Sequence, residues 1–195
     1  MSHAAPAERR KVAILLFEGV QIIDYSGPWE IFGQAGFDVF TVARSKEPIE
    51  TVFGMRVIPD HTLDEHPEAD ILLVPGGSVL GTQNDPAVQR WLKSTSKQAD
   101  VVLSVCNGAF ILAKSGLLEG LRATTTRPLI DGLATAAPDI TVVHDVRWVD
   151  NGKIVTSGGL SAGMDAALHV VARYSSEERA ARIAHGLEYD WRQRN

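Results

Sequence analysis

The sequence predicts an α/β fold of the flavodoxin-like type, a three-layer sandwich with a mainly parallel central sheet. Three observations carry this. Runs such as Lys11–Phe17, Asp70–Val74 and Val101–Val105 are aliphatic without polar alternation, as strands covered on both faces require. Stretches with helical spacing or capping residues separate these runs almost throughout. One run ends at a lone cysteine flanked two positions either side by small residues, Ser104 and Gly108, the pattern of a strained strand-to-helix elbow.

Met1–Arg10 is small, polar and basic at its end, so a disordered leader is expected, followed by a single domain over residues 11–195. Lys11–Phe17 forms the first central strand. Glu18–Tyr25 is expected as a connecting loop, after which Ser26 caps a helix to about Ala35 with Pro28 in its first turn. Phe37–Ala43 alternates as a strand. Pro48–Ile58 suggests two short strands joined around Phe53–Gly54, and polar His61–Pro67 has room for one helical turn. Asp70–Val74 is a buried strand stopped by Pro75–Gly76–Gly77. Asp85–Lys97 is a helix with Val88, Trp91 and Leu92 on one face.

Asp100–Val105 is the strand before the cysteine, and Asn107–Leu118 the helix after it. Arg122–Thr125 is short and β-prone, Pro128–Ala136 a short helix, and Ile140–Val149 strand-like. Asp150–Asn151–Gly152–Lys153 is a hairpin turn, because Asn-Gly suits paired positive φ, and Ile154–Ser157 pairs back. Ser161 is the expected cap of a helix to about Tyr174. Ser175 with Glu178 forms a capping-box pattern for a last helix to about Tyr189.

With 195 residues, 45% apolar and 22% charged, the chain has the composition of an ordinary globular domain. A formal net charge of −5 and the lack of a dense basic cluster argue against a nucleic-acid surface. No apolar run approaches the ~18 residues of a membrane span, and Met1–Arg10 has no apolar core, so it does not read as a secretory signal. One cysteine excludes an internal disulfide and a cysteine-rich metal site, and fits a reducing, cytoplasmic setting. Gly76–Gly77 lacks the glycine spacing of a dinucleotide fingerprint.

Open α/β sheets bind ligands beyond the carboxyl ends of their strands. Asp24, Pro75–Ser78, Cys106–Asn107 and Gly158–Ser161 all follow predicted strands and converge there. The elbow aims the Cys106 thiol over a helix N-terminus, whose free N–H groups favour a thiolate. Lowering its pKa from ~8.5 by about two units needs roughly 3 kcal/mol. Backbone N–H groups of Gly77 and Asn107, with Gly76 beside them, would form an oxyanion-type pocket, although Pro75–Gly76–Gly77 also suits a plain tight turn. Asp24 is the candidate general acid or base, and its pKa would rise beside a thiolate. An Asx-turn organising the helix at Ser26 is its other reading, and Glu18 is the competing acid. None of the six histidines adjoins Cys106 in sequence; a Cys–His pair through space stays open.

The stretches LLFEGVQIIDYSGPWEIF, DILLVPGG, SVCNGAFILAKSGLLEGLRATT and VTSGGLSAGMDAALHVV resemble the DJ-one/ThiJ/PfpI superfamily, the class I glutamine-amidotransferase-like fold. The resemblance runs from Val12 to about Tyr189 and is greatest to the branch of isocyanide hydratases and AraC-type sensor domains. In that branch an Asp stands where Asp24 does and approaches the elbow cysteine. The resemblance implies attack of the Cys106 thiolate on an isocyanide, proton handling by Asp24, and hydration through a thioimidate to an N-substituted formamide. It implies a homodimer, a small-molecule substrate, and no metal or organic cofactor. Asn107 stands where the hydratases usually carry Thr. Thr124–Thr125–Thr126 runs into Arg127 where many relatives carry a His, which lowers glyoxalase- or deglycase-like aldehyde chemistry. Asn107 is also not the His that PfpI-type proteases carry after the cysteine, which argues against peptidase activity. The alternative of another class is a ligand or redox sensor without turnover; the chain has no room for a helix-turn-helix domain beside this one.

Overall fold

A computed structural model describes residues 9–193. In chain order the elements are β1 (Lys11–Leu15), α1 (Ile22–Gln34), β2 (Asp38–Ala43), β3 (Ile49–Glu50), β4 (Arg56–Val57), β5 (His61–Thr62), β6 (Ile71–Val74), α2 (Val79–Asn84) and α3 (Pro86–Gln98). They continue with β7 (Val101–Ser104), α4 (Gly108–Lys114), β8 (Arg122–Ala123), α5 (Ile130–Ala136), β9 (Thr141–Val142), β10 (Trp148–Asp150), β11 (Ile154–Ser157), α6 (Ser161–Tyr174) and α7 (Glu177–Gly186). A 3-10 turn at Arg127–Leu129 leads into α5.

Seven strands form the central sheet in the order β10-β11-β7-β6-β1-β2-β5, all parallel except β10. Helices α1, α6 and α7 pack together, and α2 to α5 form a second group, giving the three layers. Every residue of β6 and β7 is buried, which is why these segments carry no polar alternation. After β1 the chain adds strands first toward β5 and then toward β10. The crossovers therefore reverse at the β1–β6 boundary, and a crevice opens at the carboxyl ends of those strands.

The expected elements are present, with corrections at their ends. Helix α1 begins at Ile22, so Ser26 caps nothing, Asp24 lies in the first turn, and Pro28 sits inside the helix. A tertiary contact sets this start: the Gln21 N–H donates to the Gly76 carbonyl at 2.8 Å, tying the helix entry to the exit of β6. His61–Thr62 is an edge strand, not a helical turn. Asp60 docks it on β2 by accepting from the Thr41 N–H (2.9 Å) and hydroxyl (2.8 Å). The short helix α2 carries no sequence signal of its own. Ile140–Val149 divides into β9 and β10 around Asp145, whose φ is 57°. Helix α4 ends at Lys114, before a Gly116 at φ 77°. The residue before α6 is Leu160 at φ 58°, and Ser161 makes no cap. Ser176, not Ser175, caps α7 by accepting from the Arg179 N–H at 3.2 Å.

Most of the expected leader lies outside the described residues. At its end, Arg10 pairs with Asp70 (2.9 Å) and Asp100 (3.3 Å) and lies over the Tyr174 ring. Arg9 reaches Asp38 at 3.2 Å.

Helix α6 approaches the sheet at Gly163, where an added Cβ would lie 2.5 Å from a methyl of buried Val105. Gly163→Ala should therefore destabilise the protein by about 1–3 kcal/mol through overpacking. Gly33, on the exposed face of α1, has open space where its Cβ would be. Gly33→Ala should be neutral or stabilising by about 0.5 kcal/mol. Chemical denaturation of both variants checks the pair.

Candidate active site

The turn after β7 holds Cys106 at φ 57°, the strained conformation that the flanking small residues foretell. Three groups fix it. Its N–H donates to the Gly158 carbonyl (3.1 Å), and its own carbonyl accepts the Thr125 hydroxyl (2.7 Å). At Gly108 an added Cβ would collide with the Val74 carbonyl oxygen, so β6 and the elbow meet backbone to backbone. Cys106 is half-buried.

Asp24 is fully buried in the first turn of α1. The Gly76 N–H donates to its Oδ2 and the Leu160 N–H to its Oδ1, each at 3.1 Å. The Cys106 thiol lies beside this carboxylate, and their interaction favours a charged Asp24 and a neutral thiol. Gly76 makes this convergence possible. A Cβ there would collide with Asn107 Oδ1 and lie 2.8 Å from both Asp24 Oδ2 and Cys106 Cβ. Asp24 is thus beside the thiol as expected, and it is not an Asx-turn for Ser26. The competing acid Glu18 is exposed and accepts from the Glu50 N–H at 3.3 Å, turned away from the sulfur.

Two expectations need correction. The Gly77 N–H does not face an oxyanion: it donates to Asn107 Oδ1 at 2.8 Å, while Asn107 Nδ2 donates back to the Gly77 carbonyl at 2.9 Å. The Asn side chain satisfies both backbone groups and pins the β6 exit to the elbow. The Asn107 N–H acts on the Cys106 sulfur instead, favouring its charged form. The second correction concerns ionisation. Burial first, and the Asp24 charge second, push the Cys106 thiol up to about 11, outweighing the Asn107 N–H and the Thr126 hydroxyl that donate to sulfur. Burial likewise raises Asp24 to about 6 against the N–H groups of Leu160 and Gly76. Two acids of like charge share one enclosed space, so the pair retains a single proton through neutral pH.

Thr126 and Leu160 have roles at the site that the sequence did not assign them, although Gly158–Ser161 was expected to converge there. Neither has a spacing relation to Cys106, and only the Gly158–Gly159 pair hinted that β11 ends in a close approach. An added Cβ on Gly159 would lie 3.2 Å from the Cys106 sulfur and 2.8 Å from Thr126 Oγ1. A cleft of about 480 Å³ begins here, between the Thr124–Pro128 and Gly158–Ala162 segments. No histidine lines it, and His66 and His169 are engaged elsewhere, with Trp91 and Asp150, so no Cys–His pair forms among the described residues. No cluster of metal-binding side chains occurs among the described residues, and no helix is long and apolar enough to cross a membrane.

A parallel sheet with a cysteine at a strand-to-helix elbow, paired with a buried acid from the first helix, defines the class. The chain belongs to the DJ-1/PfpI family, whose model matches residues 10–173. It is 33% identical over 183 residues to an isonitrile hydratase of Pseudomonas putida, covering 92% of this chain and 78% of that one. It is 27% identical over 137 residues to the HTH-type transcriptional regulator CdhR of Pseudomonas aeruginosa, covering 70% of this chain and 40% of the regulator. A deglycase of Thermococcus kodakarensis is 29% identical over 148 residues, covering 72% of this chain and 89% of the deglycase. A ThiJ/PfpI family protein from Pseudomonas syringae superposes with a TM-score of 0.87 at 27% identity, over 97% of this chain and 82% of that one.

Asp24→Asn removes the like charge beside the thiol, so Cys106 should titrate below about 11 in that variant. The pH dependence of its alkylation rate checks this. Asp24 titrates at about 6 in the folded protein against 3.8 ordinarily, so the folded state holds this proton more tightly than the unfolded chain. The stability it confers is complete below pH 3.8 and lost as pH rises through about 6. Across that window wild type should lose about 3 kcal/mol relative to Asp24→Asn, read from urea titrations at each pH.

Proposed function

We propose that the protein is a cysteine-dependent enzyme that hydrates isocyanides to N-substituted formamides. The observation that supports this most directly is the Asp24–Cys106 pair, which retains one proton on or beside the nucleophile and packs against Gly159 in the wall of a small cleft. With the thiol titrating at about 11, free thiolate at pH 7 is on the order of one part in ten thousand. The nucleophile is therefore made at the moment of attack, by transfer of the thiol proton to Asp24.

Sulfur bonds to the terminal carbon of R–NC while Asp24 delivers its proton to that same carbon, giving the thioimidate R–N=CH–S. Water then adds across the C=N bond, its oxygen to carbon and its proton to nitrogen. Loss of the hydroxyl proton to Asp24 forms the C=O bond and expels sulfur, which recovers the proton. The sum is one water added to R–NC, giving R–NH–CHO with no oxidant or reductant. The Asn107 N–H and Thr126 hydroxyl stabilise charge on sulfur during both steps. The 33% identical isonitrile hydratase supports the same chemistry. Working as a homodimer on a small molecule belongs to this proposal.

A ligand sensor without turnover is the second reading, supported by the similarity to CdhR. Deglycase-like chemistry has the support of a 29% identical relative. The discriminating measurement is formamide release from an alkyl isocyanide by chromatography. Wild type should form product, Cys106→Ala none, and Asp24→Asn roughly 10²–10⁴-fold less. Equal rates for wild type and Cys106→Ala would overturn the proposal. Saturable isocyanide binding without product would favour the sensor.

A further inference from the structure

The cleft beside Cys106 is cationic, on a chain whose formal net charge is −5. Arg127, Arg147 and Arg192 line it against one acid, Asp145. Arg147 is committed to the fold: its Nε lies 2.6 Å from Oδ2 of fully buried Asp165, and it also reaches Ser161 and Tyr189. The guanidinium groups of Arg127 and Arg192 make no hydrogen bond or ion pair among the described residues. The backbone beneath Arg192 is nevertheless anchored, its N–H donating to Asp165 Oδ1 at 3.1 Å.

A second observation points the same way. Thr124 also lines the cleft and is 1% exposed, yet its hydroxyl oxygen has no partner among the described residues. A buried hydroxyl is ordinarily satisfied, so this wall of the cleft carries one unmet hydrogen-bonding group. Cys106 does not itself line the cleft, but it is one residue away: Gly159 does line it, and a Cβ there would lie 3.2 Å from the Cys106 sulfur.

We propose that this cleft selects substrates carrying a carboxylate, with Arg127 and Arg192 as its binding residues and the reactive carbon placed at Cys106. A carboxylate presents two coplanar, negatively charged acceptors to the guanidinium fork, a charge-assisted pairing its neutral ester cannot make. A volume of about 480 Å³ suits a small organic acid rather than a polymer. The assignment of the reactive end rests on the hydratase reading; the anionic end does not.

The test compares isocyanoacetate with its neutral methyl ester. Wild type should favour the acid by about tenfold in kcat/KM, the worth of one good charge-assisted contact. Arg127→Gln should erase that preference through KM, with kcat unchanged. Arg56→Gln makes the same change in charge on the exposed β3–β4 hairpin and should leave the preference intact. Added salt should narrow the preference. In parallel, calorimetry compares binding of N-formylglycine and its methyl ester to wild type and Arg127→Gln. Turnover of both isocyanides without preference for the acid, or equal effects of the two arginine variants, overturns the carboxylate cleft and leaves the hydratase reading standing. Tighter binding of N-formylglycine that Arg127→Gln abolishes, without turnover of either isocyanide, supports the cleft and removes the hydratase reading.

Discussion

One buried carboxyl, that of Asp24 beside the Cys106 thiol, organises this site. Asp24 has no exposure, and a carboxylate moved out of water without partners would cost several kcal/mol. Two backbone N–H groups offset that cost, from Gly76 after β6 and Leu160 before α6. Each comes from a different strand exit, so the acid draws together segments separated by as many as 136 residues. The elbow cysteine completes the cluster. Burial raises both acids, the Asp24 charge raises the thiol further, and the pair keeps one proton through neutral pH.

Small residues make the convergence sterically possible. Gly76, Gly108, Gly159 and Gly163 each stand where a methyl group would meet a neighbour at less than 3 Å. Three of these contacts surround the elbow and the fourth locks α6 beneath it. Asn107 serves the same end by polar means. Its amide closes both backbone groups of Gly77, so the β6 exit is held to the turn that carries the sulfur. The residue that departs from the hydratase pattern thus acts on the scaffold through its side chain and on the sulfur through its N–H.

The strands were legible because burial on both faces leaves a compositional mark: β6 and β7 are all aliphatic apart from Ser104. The elbow was legible because positive φ at Cys106 demands small neighbours at fixed offsets. Helix starts were less so. The beginning of α1 depends on Gln21 bonding to Gly76, and no local propensity records a contact 55 positions away. The cap before α7 slipped by one residue because adjacent Ser175 and Ser176 carry the same local signal.

By itself the sequence determined the α/β class, the succession of buried strands, the strained turn at Cys106 and the candidacy of Asp24. These follow from periodicity, composition and local steric rules, which act over a few residues. Only the tertiary structure decided that Gly77 bonds to Asn107, that Thr126 and Leu160 join the site, and that the thiol is raised rather than lowered. Those outcomes depend on which distant groups share one poorly solvated space. A helix N-terminus favours a thiolate wherever it occurs, but the balance of charge depends on what the rest of the chain has buried beside it.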